Sequence, residues 1–164
     1  MRAERSAAAA LKARGWHIAF AESCTGGLAV ARLVGVAGVS EVLAESYVTY
    51  APEAKVALLG VRQGTIDTHG VVSEETAAEM AAGAADRAHA EVGVGITGLA
   101  GPGGGSKALP VGTVCFGFCI DGRLYTETRV FSHAGRNAVR RRAAAFALRR
   151  LAGLLCAQTD NQTV

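Results

Sequence analysis

The sequence predicts an α/β fold: a three-layer α/β/α sandwich with a mixed, mainly parallel sheet and an antiparallel hairpin near the C-terminus. Half of the 164 residues are apolar and 21 are glycine, a composition typical of helices and strands joined by tight turns. Helix-like and strand-like patterns alternate along the chain. Asp121-Gly122, between two apolar runs, is a typical hairpin turn. The length predicts one domain over residues 1–164 with a frayed tail at 155–164.

Hydrophobic periodicity predicts the first elements in this order: a helix over about 4–14, a strand over 17–23, a helix over 28–35 and a strand over 42–50. Pro52 suits the first turn of a helix that Gly60 ends. The segment with Gly64 and Gly70 is predicted to be a loop. These elements fill the first half of the predicted sandwich.

The second half begins with a long helix, because Ser73 suits an N-cap and two glutamates follow it in the first turn. This helix runs to about Ala90, and its alanine-rich face predicts close packing on a sheet (Ala77, Ala81, Ala84, Ala85, Ala88). The remaining predicted elements are strands over 92–97, 111–120 and 123–131 and a helix over about 136–155, with a glycine-rich loop before Pro110.

Composition excludes several classes of protein. The net charge of +3 favours at most anionic small molecules, and the arginines of residues 135–150 indicate a solvated helix face, so nucleic acid is not an expected partner. No apolar run reaches the ~18 residues of a membrane helix. The four cysteines form no C-x-x-C pair and the four histidines lack metal-ligand spacing, which predicts reduced thiols, no metal and no cofactor. We expect a cytoplasmic protein.

The run Gly93-Val94-Gly95-Ile96-Thr97-Gly98 matches G-x-G-x-x-G by its letters. A dinucleotide-binding fingerprint must follow a strand and open a helix. Here the glycines lie inside a predicted strand, and the following loop cannot begin a helix. The sequence therefore predicts no dinucleotide site of that kind.

Four separated stretches carry candidate functional residues: ESCTGG (22–27), GVS (38–40) followed by YAPEAK (50–55), GITGLAGPGGGS (95–106) and GRNAVR (135–140). Their order and spacing resemble the C-terminal domain of the CinA family, which includes standalone nicotinamide-nucleotide amidohydrolases. The resemblance covers roughly residues 5–155. The family usually has Gly-Asp before its C-terminal arginine, whereas this chain has Ala134-Gly135.

The resemblance implies hydrolysis of the carboxamide of nicotinamide mononucleotide (NMN) by a Ser/Lys mechanism, within pyridine nucleotide salvage. It places the nucleophile on Ser40, the general base on Lys55 and Tyr50 near this pair. The other residues that it implies for substrate binding lie in the remaining stretches: Ser23, Thr25, Gly26, Gly27, Thr97, Gly98, Gly101, and Arg136 or Arg140 for the phosphate.

The residues themselves fit this chemistry. A serine hydroxyl needs a neighbouring base, and a lysine serves as one only when burial lowers its pKa from about 10.4. Lys55 follows Pro52 in the first turn of a predicted helix, where the helix dipole disfavours the ammonium. Glu22 is expected to hold ribose hydroxyls or to position Lys55. Backbone N–H groups of the 24–27 turn or the 101–105 loop are the two candidates for binding the oxyanion.

The segment AESCTGGLA raises an alternative, because Ser23, Cys24 and Thr25 are all possible nucleophiles. We interpret it as a strand-to-helix turn that binds the ligand, in which Gly26 and Gly27 allow close backbone approach. Two other hypotheses stay open: a hydrolase with a Cys24 thiolate, and a non-catalytic nucleotide-binding module of the competence/damage-inducible type. We also expect a homodimer or larger homo-oligomer.

Overall fold

The computed structural model describes residues 2–132 and 135–160. Within these residues the elements are α1 (Arg2–Arg14), β1 (Ile18–Glu22), α2 (Leu28–Val34), β2 (Tyr47–Val48), α3 (Pro52–Leu59), α4 (Gln63–His69), α5 (Glu74–Arg87), β3 (Val92–Gly98), β4 (Thr113–Ile120), β5 (Arg123–Val130) and α6 (Arg136–Asp160). A 3-10 helix covers Val39–Glu41. No helix in the described part of the chain is long and apolar enough to cross a membrane.

The five strands form one sheet in the order β2-β1-β3-β4-β5. β1 pairs in parallel with β2 and β3, whereas the β3–β4 and β4–β5 pairs are antiparallel. The predicted mixed sheet and C-terminal hairpin are confirmed. Two of the four strand pairs are parallel and two are antiparallel, because β4 runs against the common direction of β1, β2, β3 and β5.

Helices cover both faces of the sheet, which confirms the three layers. On one face, α1, α2 and α6 enclose the larger core around Phe20, Phe116 and Phe118. On the other face, α5 packs on β1, β3 and β4, with a smaller core around Met80 and Leu59. Every residue of β4 and β1 is buried, because each strand has a neighbour on both sides and a helix layer on both faces.

The contact between α5 and the sheet is made backbone to backbone. A Cβ atom added to Gly93 would lie 2.0 Å from the Ala81 carbonyl oxygen, and one added to Gly95 would lie 2.2 Å from that of Ala77. Gly117 of β4 is equally close to Ala77, at 2.1 Å. The predicted alanine-rich packing face is therefore confirmed, and the glycines of the G-x-G-x-x-G run serve the close approach of α5 to the sheet.

Three predicted boundaries differ from the structure. Residues 63–69 form α4 rather than a loop, because Thr65 and Ile66 are buried against α5 despite Gly64. The strand predicted over 42–50 is reduced to Tyr47–Val48, with one isolated bridge between Leu43 and Ile18. Helix α6 runs to Asp160, so the tail predicted from 155 begins later; residues 161–164 lie outside the described part of the chain.

Candidate active site

A cleft of about 190 Å³ lies at the carboxyl ends of β1 and β3. Ser23 directly follows β1, and Thr97 and Gly98 end β3, so the parallel pairing of these strands brings the three residues to one edge of the sheet. This edge is where parallel α/β sheets bind ligands. Tyr50, Gly101 and Arg136 complete the polar part of the lining.

Lys55 is the most unusual side chain at this edge, because it is fully buried. Its Nζ lies 3.1 Å from the Ser23 Oγ, 2.6 Å from the Thr49 carbonyl oxygen and 3.5 Å from that of Tyr50. Burial lowers the pKa of Lys55 to about 8. Helix α3 begins at Pro52, so Lys55 lies in its first turn as predicted.

The neighbours of Lys55 decide which way its lone pair points. The carbonyl oxygens of Thr49 and Tyr50 can only accept hydrogen bonds. A neutral amine has two N–H bonds, which these two carbonyls accept, and its lone pair is then directed at the Ser23 hydroxyl. Ser23 can donate its proton to Lys55 in this arrangement, which is the geometry of a nucleophile and its base.

The structure brings Ser23 to Lys55 and leaves Ser40 away from it. Ser40 is exposed in the 3-10 helix Val39–Glu41. Val42, the first residue after this 3-10 helix, has a carbonyl oxygen that accepts a hydrogen bond from the Ile18 N–H group at the start of β1. Ser23, in contrast, follows the end of that strand. At about 3.3 Å per residue, the two ends of β1 are roughly 13 Å apart. The predicted Ser40–Lys55 pair is therefore not formed within the chain.

Sequence reasoning missed Ser23 as the partner of Lys55. One signal was available: Ser23 stands at the carboxyl end of a buried strand, where parallel α/β sheets place their ligand sites. The apolar side of the cleft was also missed, since Val71 and Val72 line it from the segment before α5. That segment, part of the stretch GVVSEETAAEMA (70–81), carries no catalytic side-chain type at Val71 and Val72, and only the tertiary structure places these two residues at the cleft.

Glu22 has a different role from the predicted one. It is buried, and its carboxylate accepts hydrogen bonds from the N–H groups of Gly27 (2.9 Å), Ala29 (3.1 Å) and Val30 (2.8 Å). Both oxygens are thus occupied by the first turn of α2. Glu22 caps this helix and does not line the cleft, so neither ribose binding nor contact with Lys55 fits its position.

We expect Glu22→Gln to lower the free energy of unfolding by about 1–3 kcal/mol, because the amide group would turn a donor toward buried N–H groups. Urea denaturation at pH 7 measures the change. Glu53→Gln, in the first turn of α3, is the control on an exposed side chain. Equal stability of the two variants would contradict the capping role.

The turn after Ser23 has two positions whose backbone conformation favours glycine. Gly26 and Gly27 have φ values of 61° and 90°, which favour glycine. Neither residue lines the cleft, and neither does Thr25. Thr25 is buried, and its hydroxyl has no hydrogen-bond partner within residues 2–132 and 135–160. The turn therefore positions Ser23 and Cys24 at the cleft, with its glycines behind them.

The two candidate arginines have separate roles. Arg136, the first residue of α6, lines the cleft and donates to the Gly101 carbonyl oxygen (2.7 Å) and to the Tyr50 hydroxyl (2.8 Å). Arg140 lies outside the cleft and donates to the carbonyl oxygens of Cys24 (3.1 Å) and Thr25 (3.1 Å). Arg136 is thus placed to meet a ligand, whereas Arg140 joins α6 to the turn. Ala134, before them, lies outside the described residues.

The other residues that were predicted for the cleft lie in its lining. The Thr97 hydroxyl donates to the Val71 carbonyl oxygen at 2.8 Å, which fixes the segment before α5 against β3. Gly98 and Gly101 both line the cleft. Burial raises the pKa of the Cys24 thiol to about 12, which disfavours the hypothesis of a Cys24 thiolate.

Possible metal ligands do not gather here or elsewhere in the described segments: no three His, Cys, Asp or Glu side chains come together there. The chemistry available from the described side chains is that of a buried hydroxyl, a buried amine of lowered pKa and an arginine at the mouth. These groups suit an attack on a carbonyl carbon next to an anionic group.

Known proteins share this sequence and fold. The chain matches the CinA C-terminal domain family over residues 2–155. It is 49% identical over 141 residues to the nicotinamide-nucleotide amidohydrolase PncC of Enterobacter agglomerans, covering 85% of each chain. A CinA-like protein of Kosmotoga olearia is 48% identical over 139 residues, or 84% of this chain and 33% of that protein.

Solved structures agree with the sequence matches. The crystal structure of the competence damage-inducible protein A of Klebsiella pneumoniae has a TM-score of 0.90 and 35% identity, over 94% of this chain and 96% of that one. The likeness thus extends over the sheet, both helical layers and the segments that form the cleft. The chain belongs to the CinA C-terminal domain family.

Proposed function

We propose that this chain, acting as one domain, hydrolyses the carboxamide of nicotinamide mononucleotide to nicotinate mononucleotide and ammonia. The observation that carries the proposal is the Ser23–Lys55 pair, a hydroxyl 3.1 Å from a buried amine at the wall of a cleft. The relatives named nicotinamide-nucleotide amidohydrolase support the choice of substrate. The lining of the cleft supports it further, with apolar Val71 and Val72 beside cationic Arg136.

The proposed reaction has two halves. Ser23 Oγ bonds to the carboxamide carbon while Lys55 Nζ takes the hydroxyl proton, and the carbonyl electron pair moves to oxygen. As the C–N bond breaks, Lys55 returns that proton to the leaving nitrogen, and ammonia departs from an ester on Ser23. Water then attacks the ester with Lys55 as base, and nicotinate mononucleotide is released as the serine is restored.

The direct test is ammonia release from NMN by the purified protein. Stoichiometric formation of ammonia and nicotinate mononucleotide, measured by coupled assay and chromatography, is the expected result. Stabilisation by NMN in a thermal shift experiment with no turnover would instead favour a non-catalytic nucleotide-binding module. Neither turnover nor stabilisation would contradict both functions.

The pH dependence follows from the pKa of Lys55. Only the neutral amine can accept the proton of Ser23, and its pKa is about 8. We therefore expect kcat/KM for NMN to rise about tenfold per pH unit below pH 8 and to level off above it. A profile that is flat between pH 6 and pH 9 would contradict Lys55 as the base.

Arg136 is proposed to bind the phosphate of NMN, because it stands at the cleft as the first residue of the 25-residue helix α6. We expect Arg136→Gln to raise KM about 10–100-fold, the 1.4–2.8 kcal/mol of a charge-assisted hydrogen bond, with a smaller change in kcat. Arg140→Gln is the matched control and should mainly lower thermal stability. The opposite assignment of the two effects would contradict these roles.

We further propose a homodimer in a reducing, cytoplasmic compartment. Val34, Val48 and Tyr50 are each more than half exposed, which supports burial against another copy. All four cysteines are free thiols, which supports the compartment. Light scattering of the reduced protein tests the assembly, and a monomer at micromolar concentration would contradict it.

A further inference from the structure

Two backbone amides next to Ser23 donate to no oxygen of the described residues. Within segment 23–30, each N–H group donates to an oxygen except those of Cys24 and Thr25. Inside residues 2–132 and 135–160, the Cys24 N–H group interacts with the thiol of its own residue and has no oxygen acceptor. Because a sulfur atom is only a weak acceptor, this amide can donate to an oxygen of a ligand.

The position of these amides is fixed by the turn. Gly26 N–H donates to the Ser23 carbonyl oxygen at 3.0 Å, so Cys24 and Thr25 are the two central residues of a tight turn. Cys24 lines the cleft beside Ser23. Because the Cys24 amide is bonded directly to the carbonyl carbon of Ser23, it moves together with the proposed nucleophile and stays beside any carbon that Ser23 attacks.

We propose that the N–H group of Cys24, which lies at the cleft beside Ser23, binds the oxyanion of the reaction, an inference that rests on the proposed function. When Ser23 Oγ bonds to the carboxamide carbon, the carbonyl electron pair moves to the oxygen, and this N–H group donates to it. Lys55 cannot serve this role, since it holds the proton from Ser23 and its other N–H bonds face the carbonyl oxygens of Thr49 and Tyr50.

A second pair of amides without an oxygen acceptor among the described residues lines the same cleft. Ala100 and Gly101 are buried and line the cleft, and their N–H groups also lack an acceptor in the described part of the chain. Their position relative to Ser23 depends on the loop after β3, whereas the Cys24 amide is held by a covalent bond to Ser23. The oxyanion is therefore assigned to the Cys24 amide, and the 100–101 pair is the alternative that the experiment must separate.

The first test uses the whole chain with the analogue of NMN in which an aldehyde replaces the carboxamide. Its labelled aldehyde carbon reports a tetrahedral adduct with Ser23 by ¹³C NMR. We expect the amide proton of Cys24 to move downfield and to become protected from hydrogen exchange when the adduct forms. Ser23→Ala should form no adduct and show neither change.

The outcomes of this test distinguish failure of the oxyanion assignment from failure of the proposed function. Downfield shifts at Ala100 and Gly101 in place of Cys24 would overturn the assignment while leaving the proposed function intact. An adduct without a shift at Cys24 would do the same. Absence of any adduct in a chain that also releases no ammonia from NMN would overturn the proposed function and this inference together.

The second test removes one donor. Proline lacks the N–H group and is favoured at the first central position of a tight turn, and Ser23 before it continues the extended backbone of β1. We expect kcat of Cys24→Pro to be about 10²–10³-fold below that of Cys24→Ala, which keeps the N–H group. Equal kcat in the two variants would overturn the proposal. If Cys24→Pro does not fold, the NMR result on the unaltered chain decides alone.

Discussion

Replacing Ser23 with alanine is expected to lower kcat for ammonia release from NMN by about 10⁴–10⁶-fold, as loss of the nucleophile does in serine hydrolases. The reason is the contact of Ser23 Oγ with Lys55 Nζ at 3.1 Å, which supplies both the nucleophile and the path of its proton. Binding of NMN should survive, since Arg136 and the apolar wall are unchanged. Stopped ammonia assays and calorimetric titration of NMN measure the two effects.

Ser40→Ala is the matched control for this prediction. Ser40 is exposed near the start of β1, at the edge of the sheet opposite to Lys55. We expect kcat and KM of this variant to stay within about twofold of the unaltered chain, because exposed substitutions away from a site change little. Loss of turnover in Ser40→Ala together with turnover in Ser23→Ala would show that the Ser23–Lys55 assignment is wrong.

Lys55→Met should abolish turnover and at the same time stabilise the fold at neutral pH. The folded protein holds the pKa of Lys55 at about 8, against 10.5 for a solvated lysine. This difference corresponds to about 3 kcal/mol of destabilisation at pH 7. Methionine removes that cost but leaves the Thr49 carbonyl oxygen without its donor, so we expect a net gain of about 1–2 kcal/mol in the free energy of unfolding.

The stability advantage of Lys55→Met depends on pH. Below pH 8 Lys55 is charged in both the folded and the unfolded state, and the full cost is present. Between pH 8 and 10.5 the folded state has lost the proton that the unfolded state still binds, so the stability contribution of Lys55 rises with pH. Denaturation of both proteins at pH 7 and pH 10.5 should show the advantage of Lys55→Met disappearing. A constant difference would mean that Lys55 has an ordinary pKa.

Local signals explain what the sequence predicted well. The alanines of α5 recur at successive turns of the helix, and the glycines of β3 stand at alternate positions of the strand. In the structure these residues are in direct contact. Pro52 fixed the start of α3 and so placed Lys55 in its first turn. These features depend on residues near one another in the chain.

The partner of Lys55 depends on a non-local contact, and it could not be predicted from local pattern. Ser23 and Ser40 both follow short apolar segments, and only the parallel pairing of β1 with β2 and β3 determines which of them lies near Lys55. Helix α4 is a similar case, because Gly64 lowers its local helix propensity and burial of Ile66 against α5 compensates. The direction of the chain after β3 also had no local signal.

The hydrogen bonds of Arg136 connect the last helix to parts of the cleft formed much earlier in the chain. Its guanidinium donates to Tyr50 and to Gly101, and Arg140 one turn later supports the loop that carries Ser23. During synthesis, the strands and Lys55 therefore emerge from the ribosome well before the residue that closes the mouth. A nascent chain that ends before α6 contains Ser23 and Lys55 but no complete cleft, so we expect the cleft to form only after α6 has been translated and has docked.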